Sequence, residues 1–92
     1  MSLRSDMVKR VTLSPASVAA NTSAEELFSV PGLQLSDVVA CVIKPTAQAG
    51  LGIVGWRVSA VNQLGITFGN FTAAPIVPTA TEVYKIVVVS LG

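Results

Sequence analysis

Residues 53–69 read IVGWRVSAVNQLGITFG, and the alternation within them decides the fold. Val54, Trp56, Val58 and Ala60 fall on one side of an extended chain, with Gly55, Arg57 and Ser59 on the other. After Asn62 and Gln63 the pattern resumes, with Leu64, Ile66 and Phe68 opposing Gly65, Thr67 and Gly69. A period of two, carried by β-branched and aromatic residues, belongs to half-buried strands and not to a helix. Two such runs around an Asn-containing turn predict a β-hairpin.

The flanking sequence extends this reading. Glu26, Phe28 and Val30 alternate with Glu25, Leu27 and Ser29, which predicts a strand ending at Pro31. A helix over Ala24–Phe28 is the local competitor, but the turn formers at Asn21–Ser23 and Pro31 leave too few residues for a stable one. Val38–Ile43 and Val83–Val89 are apolar on both faces, as expected of strands covered by a second sheet on one side and a neighbouring subunit on the other. Ser14–Pro15, Pro45–Gly52 and Ala73–Thr81 supply further turns. Together these predict an all-β domain over residues 11–92, a single small β-sandwich or barrel of about 6–8 short strands. Residues 1–10 hold three of the six basic residues and little periodicity, and read as a flexible N-terminal arm that orders against a partner.

Composition bounds the function. A chain of 92 residues supports one core, and 51% hydrophobic with 12% charged residues leaves more apolar surface than so small a core can hide. Surplus apolar surface marks a subunit contact, so self-association is expected. The mean hydropathy of +0.67 does not come from a membrane helix. The longest strictly apolar run, Val38–Ile43, has the length of a strand, and Lys44 and Pro45 close it. Arg4, Lys9 and Arg10 precede Val18–Ala20 somewhat as in a secretory signal, but Asp6, Ser14, Pro15 and Ser17 interrupt any apolar segment. A net charge of +1 provides no field to attract nucleic acid or a membrane surface. The single cysteine, Cys41, lies in an apolar run and is expected to be a small buried hydrophobe.

Chemistry-bearing residues are sparse. With no histidine, one cysteine and five carboxylates (Asp6, Glu25, Glu26, Asp37 and Glu82), neither a catalytic constellation nor a metal site is expected, and no cofactor or small-molecule substrate is implied. Gly50–Gly55 matches the G-x-G-x-x-G pattern of dinucleotide sites. That pattern works only between a strand and a helix, and here an alternating strand follows it, with the next acid at Glu82. These glycines read as the sharp turn into a strand. Trp56 could stack on a sugar, but its place beside Val54 and Val58 predicts a core role. Arg57, on the other face, is a surface or interface candidate. Asn21-Thr22-Ser23 and Asn70-Phe71-Thr72 fit the glycosylation acceptor pattern, a common chance match in such turns.

One longer pattern is familiar. From Val11 the chain reads VTLSPASVAANTSAEE, followed by FSVPGL, DVV, KP, AGLGIV, RVSA, LGITFGN, PTA and EVY. This resembles small virion proteins of tailed bacteriophages, the capsid cement or decoration proteins and the β-sandwich domains of head and tail appendages. The resemblance covers about residues 11–90. It implies a non-enzymatic, trimeric β-sandwich on the capsid surface of the virion that binds the major capsid protein and clamps its neighbours. On that reading Arg4, Lys9 and Arg10 in the arm, and Arg57 on the domain, are the interface candidates. The alternative it implies is a fibre or appendage subunit with a receptor-binding or adhesion role.

Overall fold

A computed structural model describes residues 3–91, and the side chains of 7–89. The described chain is all-β, with six strands and no helix: β1 (Leu3–Leu13), β2 (Thr22–Ser29), β3 (Val38–Ile43), β4 (Leu51–Ala60), β5 (Gln63–Asn70) and β6 (Glu82–Leu91). They form two three-stranded antiparallel sheets, ordered β1-β6-β3 and β2-β5-β4, and neither closes into a barrel.

The predicted hairpin is β4–β5. Its turn is Val61–Asn62, one residue earlier than expected, and Asn62 takes the left-handed backbone (φ 63°) that such a tight connection requires. Strand β5 keeps its alternation: Leu64 and Ile66 are fully buried and Phe68 nearly so. Strand β4 does not. Its pairing with β5 slips at Val54 and again at Ser59, so each is an extra residue opposite an unbroken partner. A bulge of this kind moves every following side chain to the other face. Ile53, Trp56 and Val58 therefore share the core side, whereas Val54, expected among them, is half exposed.

The same device acts on β3, where the register slips at Ala40. Val39 and Val42, three residues apart, both pack on the core, and Cys41 turns to the opposite face, only partly buried. The expectation of a core cysteine is corrected by this bulge. The strand expected over residues 24–30 is β2, with Phe28 and, just past its end, Val30 in the core.

The segment read as an arm is, from Leu3 onward, part of β1, which pairs with β6 as far as Leu13↔Glu82. Its polar composition misled the sequence reading because β1 is an edge strand, and edge strands carry charge that discourages pairing with other chains.

Both sheets contribute to one apolar cluster. Leu13, Val42, Tyr84, Ile86 and Val88 come from the first sheet, and Phe28, Leu64, Ile66 and Phe68 from the second. Two asparagines tie the connections to it. The Asn62 Oδ1 accepts from the Gly32 amide at 2.8 Å, while its backbone bonds Val30 and Leu33. Asn70, only 1% exposed, donates from Nδ2 to the carbonyls of Val18 (3.0 Å) and Ala74 (2.8 Å). Its Oδ1 accepts from the Thr72 amide (2.9 Å) and hydroxyl (2.7 Å), so the buried carboxamide is fully engaged.

Candidate functional site

The central strand β6 is apolar on both sides. Tyr84, Ile86 and Val88 face the core, while Val83, Val87 and Val89 face outward. Register places their neighbours. Val8, Val87 and Cys41 make one row across the sheet, Val38 lies beside Val89, and Ile43 lies beside Lys85. Val8, Val38, Ile43 and Val83 are each between 45% and 47% exposed. No other part of the described chain covers this outer face, so a band of aliphatic side chains runs over all three strands. Within the band, between Val83 and Val87, Lys85 stands beside Arg10 as its direct partner, two cations side by side in a position where like charges repel.

The four basic interface candidates are not brought together. Arg10 lies on this outer face. Lys9 is in register with the core-facing Ile86, and its Nζ donates to the Pro31 carbonyl at 3.1 Å, pinning β1 to the loop after β2. Arg57 is on the second sheet, where Nε and Nη2 reach the two oxygens of Glu25 at 2.7 and 2.8 Å. This pair spans from β4 to β2 over Gly65 of β5, where a Cβ would fall onto the Glu25 carboxylate. The Arg57 hydrogen bond holds the Glu25 carboxyl below its ordinary range, and Glu25 raises Arg57 in turn. The side chain of Arg4 lies outside the described residues.

Trp56 lies on the core-facing side as expected but is not enclosed there. It is 37% exposed and sits at the open seam between the sheets, where Nε1 donates to the Val39 carbonyl of β3 at 2.9 Å. The indole thus joins two sheets that share no backbone ladder on this side.

A second cluster, which the sequence reading did not single out, lies where β6 begins. Glu82, largely buried, accepts from the Thr46 hydroxyl at 2.6 Å and pairs with Lys44 at 3.1 Å. The Thr46 hydrogen bond first, and then Lys44, hold its carboxyl below the ordinary value, against the opposing effect of burial. Next to it on the core face, Tyr84 is fully buried, and its hydroxyl has no hydrogen-bond partner among the described residues. Burial, then the charges of Glu82 and Glu26, push its pKa up to about 12. Glu26 is itself engaged, accepting from the Ala16 amide at 2.8 Å. Residues 44, 46, 82 and 84 are separated in sequence and meet only through the pairing of β3 with β6, so no local motif could have announced them.

The glycine motif is a turn and a strand. Gly50 has φ 78° and lies against the Thr72 methyl, so both backbone and space demand glycine there, and β4 follows directly. Among the described residues no three of His, Cys, Asp and Glu come together as ligands. No protein-family model, curated protein or solved structure matches the chain.

Proposed function

We propose that this chain is a structural subunit of a tailed-phage virion, a cement or decoration protein whose two sheets form a β-sandwich. It works as a homotrimer on the capsid surface, bound to the major capsid protein, and stabilises contacts between neighbouring copies without catalysis. The single observation that carries the assembly role is the aliphatic outer face of β1-β6-β3. Valine and isoleucine left half in water at several positions of one sheet face gain free energy when covered, at about 25 cal/mol per Å² of apolar area removed from water. A monomer has no use for such a band, whereas a lattice protein presents it to a neighbour and multiplies the gain over many copies. The virion setting rests on the sequence resemblance over about residues 11–90.

Sedimentation of the purified chain at micromolar concentration is expected to give a trimer, and co-sedimentation with shells of the phage that encodes it is expected to show saturable binding. Val38→Glu with Val83→Glu places charge on the band at positions 47% exposed, and should yield a folded monomer that no longer binds shells. A wild-type monomer that ignores the shells, or a double variant that assembles as before, would overturn the reading.

A further inference from the structure

Beside the end of the β2–β5 ladder lies an open groove of about 350 Å³, lined by Asn21, Thr22, Ser23, Asn70 and Phe71. Phe71 is 71% exposed, the most exposed large apolar side chain among the described residues. Its ring leans over Gly69: a Cβ there would stand 3.0 Å from the ring Cζ. The missing side chain seats the ring, and much of the ring still meets solvent. Across the ladder, the partner of Gly69 is Gly52, above which the space is open.

The polar groups of the groove are neutral. Thr22 donates its hydroxyl to the Ala19 carbonyl, while the Asn21 carboxamide and the Ser23 hydroxyl have no partner among the described residues. The frame behind them is rigid. Asn70 holds the Phe71–Ala74 turn through three of its hydrogen bonds and ties it to Val18 through the fourth, the Asn21 amide donates to Thr72 at 3.0 Å, and the Phe71 amide donates to Gly50 at 2.8 Å. Asn21 is kept in the left-handed region, at φ 53°.

We propose that this groove is a binding subsite for a neutral pyranose. The polarised C–H face of a sugar ring stacks on the negative face of an aromatic ring. Its hydroxyls each donate and accept, which matches a carboxamide and a hydroxyl that do the same. A phosphate or carboxylate ligand would call for a cation, and none lines the groove. The site lies on the β2-β5-β4 side, away from the aliphatic band, and does not depend on the assembly role.

The test is an amide chemical-shift titration of the whole chain with methyl glycosides of glucose, galactose, mannose and N-acetylglucosamine. At least one is expected to shift the amides of residues 21–23 and 70–72 with millimolar affinity. Phe71→Ala should weaken that binding about tenfold or more, and Phe71→Trp should retain it. The exposure of Phe71 leaves the spectrum unchanged in both variants except at the neighbours of the ring, such as Gly69 and Val54. Tighter binding of linear oligosaccharides of the same sugar would mark a polymer as the ligand, and equal binding a single terminal unit. The proposal is overturned if none of the four sugars shifts these amides at roughly 50 mM, or if Phe71→Ala binds as tightly as the wild type.

Discussion

Replacing Asn70 by alanine should be the most damaging polar substitution in the molecule. The side chain makes four hydrogen bonds, two as donor to Val18 and Ala74 and two as acceptor from Thr72, in a site that is 1% exposed. At about 1 kcal/mol of net stability for each bond, the loss is about 4 kcal/mol, and buried groups left unpaired add to it. A chain of this size has a total stability of about 5–14 kcal/mol, so a large part of it would disappear. Each kcal/mol moves the midpoint of so small a domain by about 4–8 °C, and the thermal transition should fall by roughly 15 °C or more. Calorimetry and urea titration measure this directly. Asn70→Asp separates the two halves of the effect. It keeps the acceptor toward Thr72 but turns a carboxylate toward two carbonyls, so it should be strongly destabilised at neutral pH and recover in part in acid, where the carboxyl can donate. A loss below about 1 kcal/mol for the alanine variant, or an aspartate variant as stable as the wild type, would refute the claim that this carboxamide organises the loop.

Three further outcomes follow from particular contacts. Tyr84→Phe removes a buried hydroxyl without a partner among the described residues, and should leave stability unchanged or raise it by about 1 kcal/mol in chemical denaturation. In the wild type the raised Tyr84 pKa contributes stability that is complete below the ordinary tyrosine value of 10.0 and is lost as pH rises toward about 12, so the phenylalanine variant should also lack that part of the alkaline loss. Glu82 has the opposite sign: its lowered pKa contributes stability that is complete above the ordinary value of 4.5 and is lost as pH falls through the folded value. Thermal scans from pH 6 down to 2 should show a shallower decline for Glu82→Gln than for the wild type, and parallel curves would count against the Thr46–Glu82–Lys44 cluster. Gly52 has ordinary backbone and nothing within 4 Å of a Cβ, so Gly52→Ala should stabilise the chain by about 0.4–1 kcal/mol, where a loss would show an unseen constraint on β4.

The limits of the sequence reading are visible in single residues. Leu64, Ile66 and Phe68 are core residues in the structure as the period of two predicted, because β5 is a central strand that pairs regularly with β2 and whose own residues run unbroken opposite β4, where the extra residues are β4's. Val54 and Cys41 were assigned to the wrong side because bulges at Val54 and Ala40 shift the face, and a bulge leaves no compositional mark. Arg57 was recognisable as a surface residue, but its partner Glu25 lies 32 residues away and only the neighbourhood of β2, β5 and β4 brings them together. Asn70 looked like one half of a chance glycosylation pattern, and its burial with four bonds depends on how the loop after β5 folds back on Val18.

The amino-acid order by itself determined that this is a β protein with one core, that its last strand is greasy on both faces, and that its ionisable groups are few. Those properties are local, since side-chain alternation and composition act over a few residues whatever the rest of the chain does. Only the tertiary structure decided that residues 3–10 belong to a strand, that Trp56 bridges the sheets, and which aliphatic residues share one uncovered face. Each of these depends on register between segments far apart in the chain, and a register shift of one residue, invisible in any local pattern, exchanges what is buried for what is exposed.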